Sequence, residues 1–269
     1  MRIVILTYES LYSNLMTERL LKEYPGQVVG IVRSDCLIYK KSLPQALLYL
    51  LQKAGLRFVG RKALELFQSR ATAIAMKLIG RQPKVHSLRD MRHIYNVPVI
   101  GSTNVNSPET RAQLEAWQPD LILSIYLNQF IGGKVINLAK LGTLNIHPAL
   151  LPRNRGLWPY FWVFVNGDRE TGVTVHWVDT KFDTGDLLLQ EKIEIEPTDT
   201  VTSLSYKSSV IGADMLVRAV KLFEAGNPPR LPQDHSQASY YSVPTRADQH
   251  RFRQMGGQYG TIFDLWKYM

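Results

Sequence analysis

The sequence predicts an α/β protein with a Rossmann-like, mostly parallel sheet, and three observations carry that reading. The chain opens strand–helix–strand, and short β-branched apolar runs then alternate with helical stretches. Its balance of 45% hydrophobic to 20% charged residues is that of a globular protein and excludes a disordered or collagen-like chain. A length of 269 residues gives room for one large domain, or a medium domain with an extension.

Residues 2–7 form the first short apolar strand, and residues 13–24 carry Leu15, Leu20 and Leu21 at helical spacing. A second strand at 27–33 follows Pro25-Gly26. From 43 to 79 the pattern turns helical, with helices expected at 43–54 and, after breaks at Gly55 and Gly60, at 58–79. In the second of these Ala63, Phe67, Ala71, Ile74 and Leu78 fall on one face, with bases elsewhere. The segment, about 40–82, reads as a basic amphipathic insertion between sheet strands. The sheet resumes at 97–100, and a helix begins at Ser107-Pro108-Glu109, where proline's missing N–H costs nothing. Residues 120–125 read as a buried strand, 135–140 as a short helix and 143–146 as another strand. Strands at 172–178 and 187–195 and a long helix at 200–225 complete the pattern. After Gly226-Asn-Pro-Pro the composition shifts to Pro, Gln, Ser and Tyr, which divides the chain into a domain over 1–226 and a short extension over 227–269.

The net charge of +9 is concentrated: thirteen bases stand against three acids between Ile31 and Tyr95, and the rest of the chain sums to −1. That segment is either a solvated helical face or a surface for an acidic partner, such as nucleic acid, an anionic lipid headgroup or a phosphorylated substrate. The single cysteine, Cys36, excludes an internal disulfide framework and a cysteine-based zinc ribbon. The histidines lack ligand-like spacing with cysteine or carboxylate, so no metal is expected. No apolar run reaches the roughly 18 residues a membrane span needs, and the apolar start is too short for a signal peptide. A soluble, cytoplasmic protein is expected.

The GxSxG elbow, HExxH, Walker loop and GxGxxG signatures are missing. What remains is Gly142-Thr-Leu-Asn-Ile-His-Pro-Ala-Leu-Leu-Pro-Arg-Asn-Arg-Gly156. In strand period Asn145 and His147 point the same way, at the end of a buried strand, where open parallel sheets keep their ligand crevice. An amide donor beside an imidazole suits attack on a carbonyl: one steadies the developing oxyanion, the other moves a proton. A histidine merely hydrogen-bonded at a strand end is the competing reading. The second element, Gly172-Val-Thr-Val-His-Trp-Val-Asp-Thr-Lys-Phe-Asp-Thr-Gly-Asp186, is a strand running into a loop with Asp179, Asp183 and Asp186. Alone it is also an ordinary strand and polar turn.

Together the two motifs resemble the 10-formyltetrahydrofolate-dependent formyltransferase family, which includes glycinamide ribonucleotide, methionyl-tRNA and sugar N-formyltransferases. The likeness runs from about residue 120 to 195. It implies the formyltransferase version of the α/β fold, 10-formyltetrahydrofolate as formyl donor, and a catalytic set of Asn145, His147 and Asp183. It also implies a folate loop of Leu127, Asn128, Gln129, Phe130 and Ile131, with Gln129 where other members often carry Arg, and a pterin-side loop of Lys181, Phe182, Asp183 and Thr184. Ser13 and Asn14 resemble the purine enzymes, but Tyr8-Glu-Ser-Leu-Tyr12 lacks their glycines. The extension has neither the length nor the pattern of the tRNA enzymes' barrel, and the loop after His147 resembles the sugar or small-amine members. Arg153 and Arg155 are therefore candidates for an acceptor phosphate, Trp158 for lining the pocket, and His176 for a place on the acceptor side. Solvated loop arginines and a core tryptophan are the alternatives. The expected acceptor is a small amine with an anionic handle, a nucleotide-linked amino sugar first; nucleic acid is the less favoured partner. A formyltetrahydrofolate hydrolase, a purine- or tRNA-type enzyme, and an anionic-surface binding module with an idle site stay open.

Overall fold

The computed structural model describes residues 1–64 and 84–260. Seven strands form one sheet: β1 (Ile3–Thr7), β2 (Val28–Ser34), β3 (Val99–Ser102), β4 (Leu121–Ile125), β5 (Gly142–His147), β7 (Glu170–Trp177) and β8 (Leu187–Glu194), in the order β3-β2-β1-β4-β5-β7-β8. The first five run parallel, and β7 pairs antiparallel with both β5 and β8. Strand order reverses between β1 and β4, which opens the crevice beyond their C-terminal ends.

Period-two alternation assigns each side of the sheet its core. Ile3, Ile5, Leu144, Ile146, Val173 and Val175 face helices α1 (Leu11–Glu23) and α8 (Val201–Glu224), joined there by Leu88 and Met91 of α4 (Leu88–Ile94). Val4, Leu6, Val32 and Ile122 face the other way, onto Leu114 and Trp117 of α5 (Pro108–Trp117) and Val135 of α6 (Gly133–Ile136). Because Leu144 and Ile146 take the α1–α8 side, Asn145 and His147 are left on the opposite face. The same alternation on β7 leaves Thr174 and His176 there.

The short helix expected at 135–140 is instead Gly133–Ile136, and α4 and α7 (Pro159–Asn166) had not been expected. α7 is apolar almost all round, and six of its eight residues are buried, so it carries little amphipathic signal. The helix at Leu43–Ala54 is α2, and α3 begins at residue 56 and is described through 64. Phe67, Ala71, Ile74 and Leu78 lie outside the described residues. Leu50, Ala54 and Phe58 pack with Val243 and Trp158, so α2 and α3 rest on the segment beyond residue 226. That segment is folded: β9 (Tyr240–Tyr241) pairs with β6 (Arg155–Gly156), and Phe252 of α9 (Arg246–Gln254) stacks on Phe161 of α7 at 4.7 Å.

Gly30 on β2 lies under the Trp117 ring, where an added Cβ would collide with the indole. Gly30→Ala is therefore expected to lower unfolding stability by about 1–3 kcal/mol, as overpacking does. Urea denaturation midpoints check this, and an unchanged midpoint would mean that the β2–α5 contact is looser than described.

Candidate functional site

The antiparallel register of β5 and β7 sets Asn145 directly opposite His176, and His147 opposite Thr174. The loop leaving β7 is closed at its base by Trp177 N–H donating to the Asp186 carbonyl at 2.8 Å. Gly185 is required there, because a side chain would meet the Trp177 carbonyl. Within the loop, Asp179 accepts from Lys181 N–H and from the Thr184 hydroxyl. Asp183 adopts a left-handed backbone (φ 54°), uncommon for a residue with a side chain, and its carboxylate returns over the strand face.

Four side chains meet there. His147 Nδ1 lies 3.7 Å from Asp183 Oδ2, and His176 Nε2 lies 3.6 Å from Asp183 Oδ1. Asn145 Nδ2 donates to His176 Nε2 at 3.1 Å and, more weakly, to Asp183 Oδ1 at 3.4 Å. Gly156 N–H donates to Asp183 Oδ2 at 2.9 Å. A carbonyl can only accept, so the remaining bonds fix the protons. His147 Nε2–H donates to the Asn154 carbonyl at 2.9 Å, leaving Nδ1 as the atom that can hold or give up a proton beside Asp183. His176 Nδ1–H donates to the Trp177 carbonyl, leaving Nε2 to accept from Asn145.

Burial acts to raise the Asp183 pKa. A positive charge on His147, then the Gly156 N–H, outweigh it and hold the carboxyl well below the usual carboxylate range. Asp183 is thus an ionised group in a buried setting, and His147 beside it is only 5% exposed.

The two loops expected to flank a ligand do meet. Phe130 and Phe182 touch edge to face with centroids 5.3 Å apart, and Tyr240 approaches Phe182 at 6.5 Å. Phe182 is 51% exposed and Tyr240 58%, so flat apolar surface is presented to solvent beside Asp183. Burial, then the Asp183 charge, raises the Tyr240 pKa. The rest of the first loop is turned inward. Asn128 donates to the Cys36 carbonyl and accepts from Ser34. Gln129 is buried, ties Ser34 and the Ser102 carbonyl together, and accepts from Val105 N–H. Ile131 belongs to the core, and Leu127 packs against it. Lys181 is exposed.

The expected acceptor-side residues are mostly engaged elsewhere. Ser13 is buried; it caps α1 and donates to the Tyr8 carbonyl, while Asn14 donates to the His86 carbonyl. Arg153 is a surface residue paired with Glu170 at 2.8 Å. Arg155 is buried, with Nη2 donating to Gln233 and His235, so it does not project into the cleft as a phosphate grip would. Trp158 packs against Phe58 with the rings tilted and their centroids 4.9 Å apart, within an apolar cluster. His176 alone of this group joins Asn145, His147 and Asp183.

Tyr240 and Gln233 were not expected at the site. Both lie in a polar, aperiodic stretch whose contacts are set by tertiary packing alone. Half-buried Tyr126 and buried Tyr160 share a 2.7 Å hydroxyl contact just beyond β4; desolvation pushes Tyr126 up to about 12, and both phenols stay protonated. Among the described residues no group of His, Cys, Asp or Glu is arranged to hold a metal ion.

Comparison with known proteins gives concordant findings. A family profile described as formyl transferase matches residues 61–220. A methionyl-tRNA formyltransferase of Syntrophus aciditrophicus is 40% identical over 154 residues, which is 57% of this chain and 49% of that protein. The chain spans about half the length of the relatives it matches. Among solved structures, an N-formyltransferase from Helicobacter canadensis in complex with folinic acid and dTDP-3-aminofucose superposes with a TM-score of 0.57 at 17% identity, covering 92% of this chain and 72% of that one. Glycinamide ribonucleotide transformylase 1 from Symbiobacterium toebii superposes at 0.58 with 17% identity, covering 87% and 93%. These two likenesses concern the fold.

The carboxyl of Asp183 also sets an acid sensitivity. Its folded pKa lies below the unfolded value of roughly 3.9, so the stability it contributes is fully present above that value and is lost as pH falls toward the folded one. From about pH 5 downward, wild-type stability should fall more steeply than that of Asp183→Asn. Urea unfolding across pH reads the two slopes, and equal slopes would contradict the ionised, paired state.

Proposed function

The chain belongs to the formyl transferase family, and from that premise we propose that it moves a formyl group from 10-formyltetrahydrofolate to the primary amine of an acceptor. The observation that carries the reading is the convergence of Asn145, His147 and Asp183, with His176, beneath the meeting point of the two loops. The amine nitrogen bonds to the formyl carbon, the bond from that carbon to folate N10 breaks, and the amine's proton ends on N10. The products are a formamide and tetrahydrofolate.

Each residue has a task that its surroundings permit. Asn145 uses one N–H on His176; the other, only weakly held by Asp183, turns to the carbonyl oxygen as negative charge develops. With Nε2 committed to Asn154, His147 works through Nδ1 and passes the amine proton onward. Asp183, kept ionised, holds the proton on that nitrogen and stabilises the imidazolium as it forms. Phe130, Phe182 and Thr184 border the donor's flat rings in this proposal, since they line the exposed junction of the loops. His176 orients Asn145 and acts behind it.

For the acceptor we favour a small amine with an anionic handle, a nucleotide-linked amino sugar first. Fold likeness over nine-tenths of the chain to a protein solved with dTDP-3-aminofucose supports it. The 40% identity to a methionyl-tRNA formyltransferase favours a second acceptor, methionylated tRNA, to be assayed beside the first. Arg153, Arg155 and Trp158 are left out of the acceptor grip because each is already partnered. Residues 1–226 hold the catalytic side chains, and the segment beyond adds walls to the site.

We further propose that α2 and α3 rest on an anionic membrane surface. Residues 40–64 carry Lys40, Lys41, Lys53, Arg57, Arg61 and Lys62 and no acid. Leu43, Leu47 and Leu48 of α2 and Leu56 and Leu64 of α3 are exposed. Apolar side chains rimmed by bases fit a headgroup layer. Among the described residues no helix is long and apolar enough to cross a membrane, so the association would be peripheral.

The reaction is tested by incubating the protein with 10-formyltetrahydrofolate and each amine and reading the mass gain of a formyl group. His147→Ala should lower kcat far more than it weakens folate binding, and Asn145→Ala should cost on the order of 10²–10³ in kcat. Activity within a few-fold of wild type in either variant would remove the assignment; formate release without an amine would point to hydrolysis. For the surface, cosedimentation with phosphatidylserine-containing vesicles should exceed that with neutral vesicles and should weaken as salt rises. Leu47→Glu with Leu48→Glu should abolish it, and equal retention on both vesicle types would refute the proposal.

A further inference from the structure

Gln233 lies well outside the two motifs, in the stretch between α8 and β9, yet it is only 7% exposed. Its Nε2 donates to the Gly185 carbonyl at 2.6 Å and to the Asp183 carbonyl at 3.1 Å. Its Oε1 accepts from Arg155 Nη2 at 2.6 Å. One side chain therefore grips the backbone of the loop that carries Asp183 and also the residue next to Gly156, whose N–H binds the Asp183 carboxylate.

The surrounding contacts reinforce that grip from the same stretch of chain. Leu231 exchanges two backbone hydrogen bonds with Leu187, at 2.7 and 3.0 Å, where the Asp183 loop re-enters the sheet. The Ser239 hydroxyl accepts from Asn154 N–H, and its carbonyl accepts from Arg155 N–H. Asn154 is the residue whose carbonyl fixes the His147 tautomer. At Gly156 a side chain would strike the Tyr241 carbonyl, so β6 and β9 approach as closely as glycine allows.

Asp183 needs this support. Its left-handed backbone is one that residues with a Cβ seldom adopt unaided, and both carbonyls that Gln233 binds flank the turn that aims the carboxylate. Thr184, between them, is held independently by Asp179. We propose that Gln233 is a positioning residue: by bridging the Asp183 and Gly185 carbonyls to Arg155, it sets the distance between the Asp183 carboxylate and His147, and thereby the rate of transfer. The proposal rests on the reaction assigned above.

The test uses the full chain and three variants. Gln233→Met keeps the volume and removes every hydrogen bond. Gln233→Glu keeps the acceptor for Arg155, but an ionised carboxylate cannot donate to the two carbonyls. Phe252→Leu loosens the buried anchor of α9 without touching the loop, and so reports plain destabilisation of the same segment. Expected are a fall in kcat on the order of 10–100-fold for Gln233→Met, a donor KM within about threefold of wild type, and no rescue by Gln233→Glu. Phe252→Leu should lower the unfolding temperature at least as far while keeping kcat within about twofold. The imidazole resonances of His147 and His176 should move in Gln233→Met and stay in place in Phe252→Leu. A Gln233→Met enzyme with near-wild-type kcat, or a Phe252→Leu enzyme that loses as much turnover, overturns the proposal. A wild-type protein that formylates no amine overturns the assigned reaction instead. The resonances then decide the positioning role, and their constancy in Gln233→Met refutes it.

Discussion

The site depends on keeping one carboxylate charged where water scarcely reaches it. Removing a charge from water costs several kcal/mol unless partners replace the solvent, and Asp183 is surrounded accordingly. The His147 imidazole, an amide N–H and a backbone N–H address its two oxygens, and its pKa falls despite burial. No single element supplies that set. Asn145 and His147 come from β5, His176 from β7 and Gly156 from β6, while Asp183 must leave the sheet and return to them. The unusual backbone at Asp183, the glycine at 185 and the clasp from Gln233 are consequences of that return.

The antiparallel position of β7 makes this geometry available. It lies in register with β5, so Asn145 and His176 become direct neighbours at hydrogen-bonding distance. It also makes β7 and β8 consecutive antiparallel neighbours, joined by a loop closed at its base, whose apex can fold back over the strand face. The five parallel strands provide the crevice and the buried platform. The two antiparallel additions provide the loop that brings Asp183 to Asn145 and His147.

Most of the sheet and the heart of the site were legible in the sequence because their signals are local. Asn145 and His147 share a face through strand period, and the family resemblance carried by the two motifs implies Asp183 as their partner. The elements that escaped lack such periodicity. α7 is buried on nearly every side, and β6 and β9 are two residues each, too short to carry a period. The acceptor arginines misled for a related reason. Residue type suggests a phosphate grip, whereas Arg155 finds its partners in Gln233 and His235, about eighty positions away in sequence.

Charge is divided between two regions with different rules. The Asp183 carboxylate is matched at short range by His147, Asn145 and the Gly156 N–H, so the field there is governed by hydrogen-bond geometry and is little affected by salt. Across 40–64 six bases stand with no acid, and Lys40, Lys41 and Lys53 lie over the rings of Tyr39 and Tyr49. A net positive field of that kind acts over a distance and is screened by ions. The two regions touch through Trp158 and Val243, which pack α2 and α3 against the folded segment that also holds the Asp183 loop. Trp158, which meets Phe58 of α3, stands two residues from the Gly156 N–H that binds Asp183. The basic helices are thus joined by continuous packing to the chain beside Asp183, while their charges lie elsewhere.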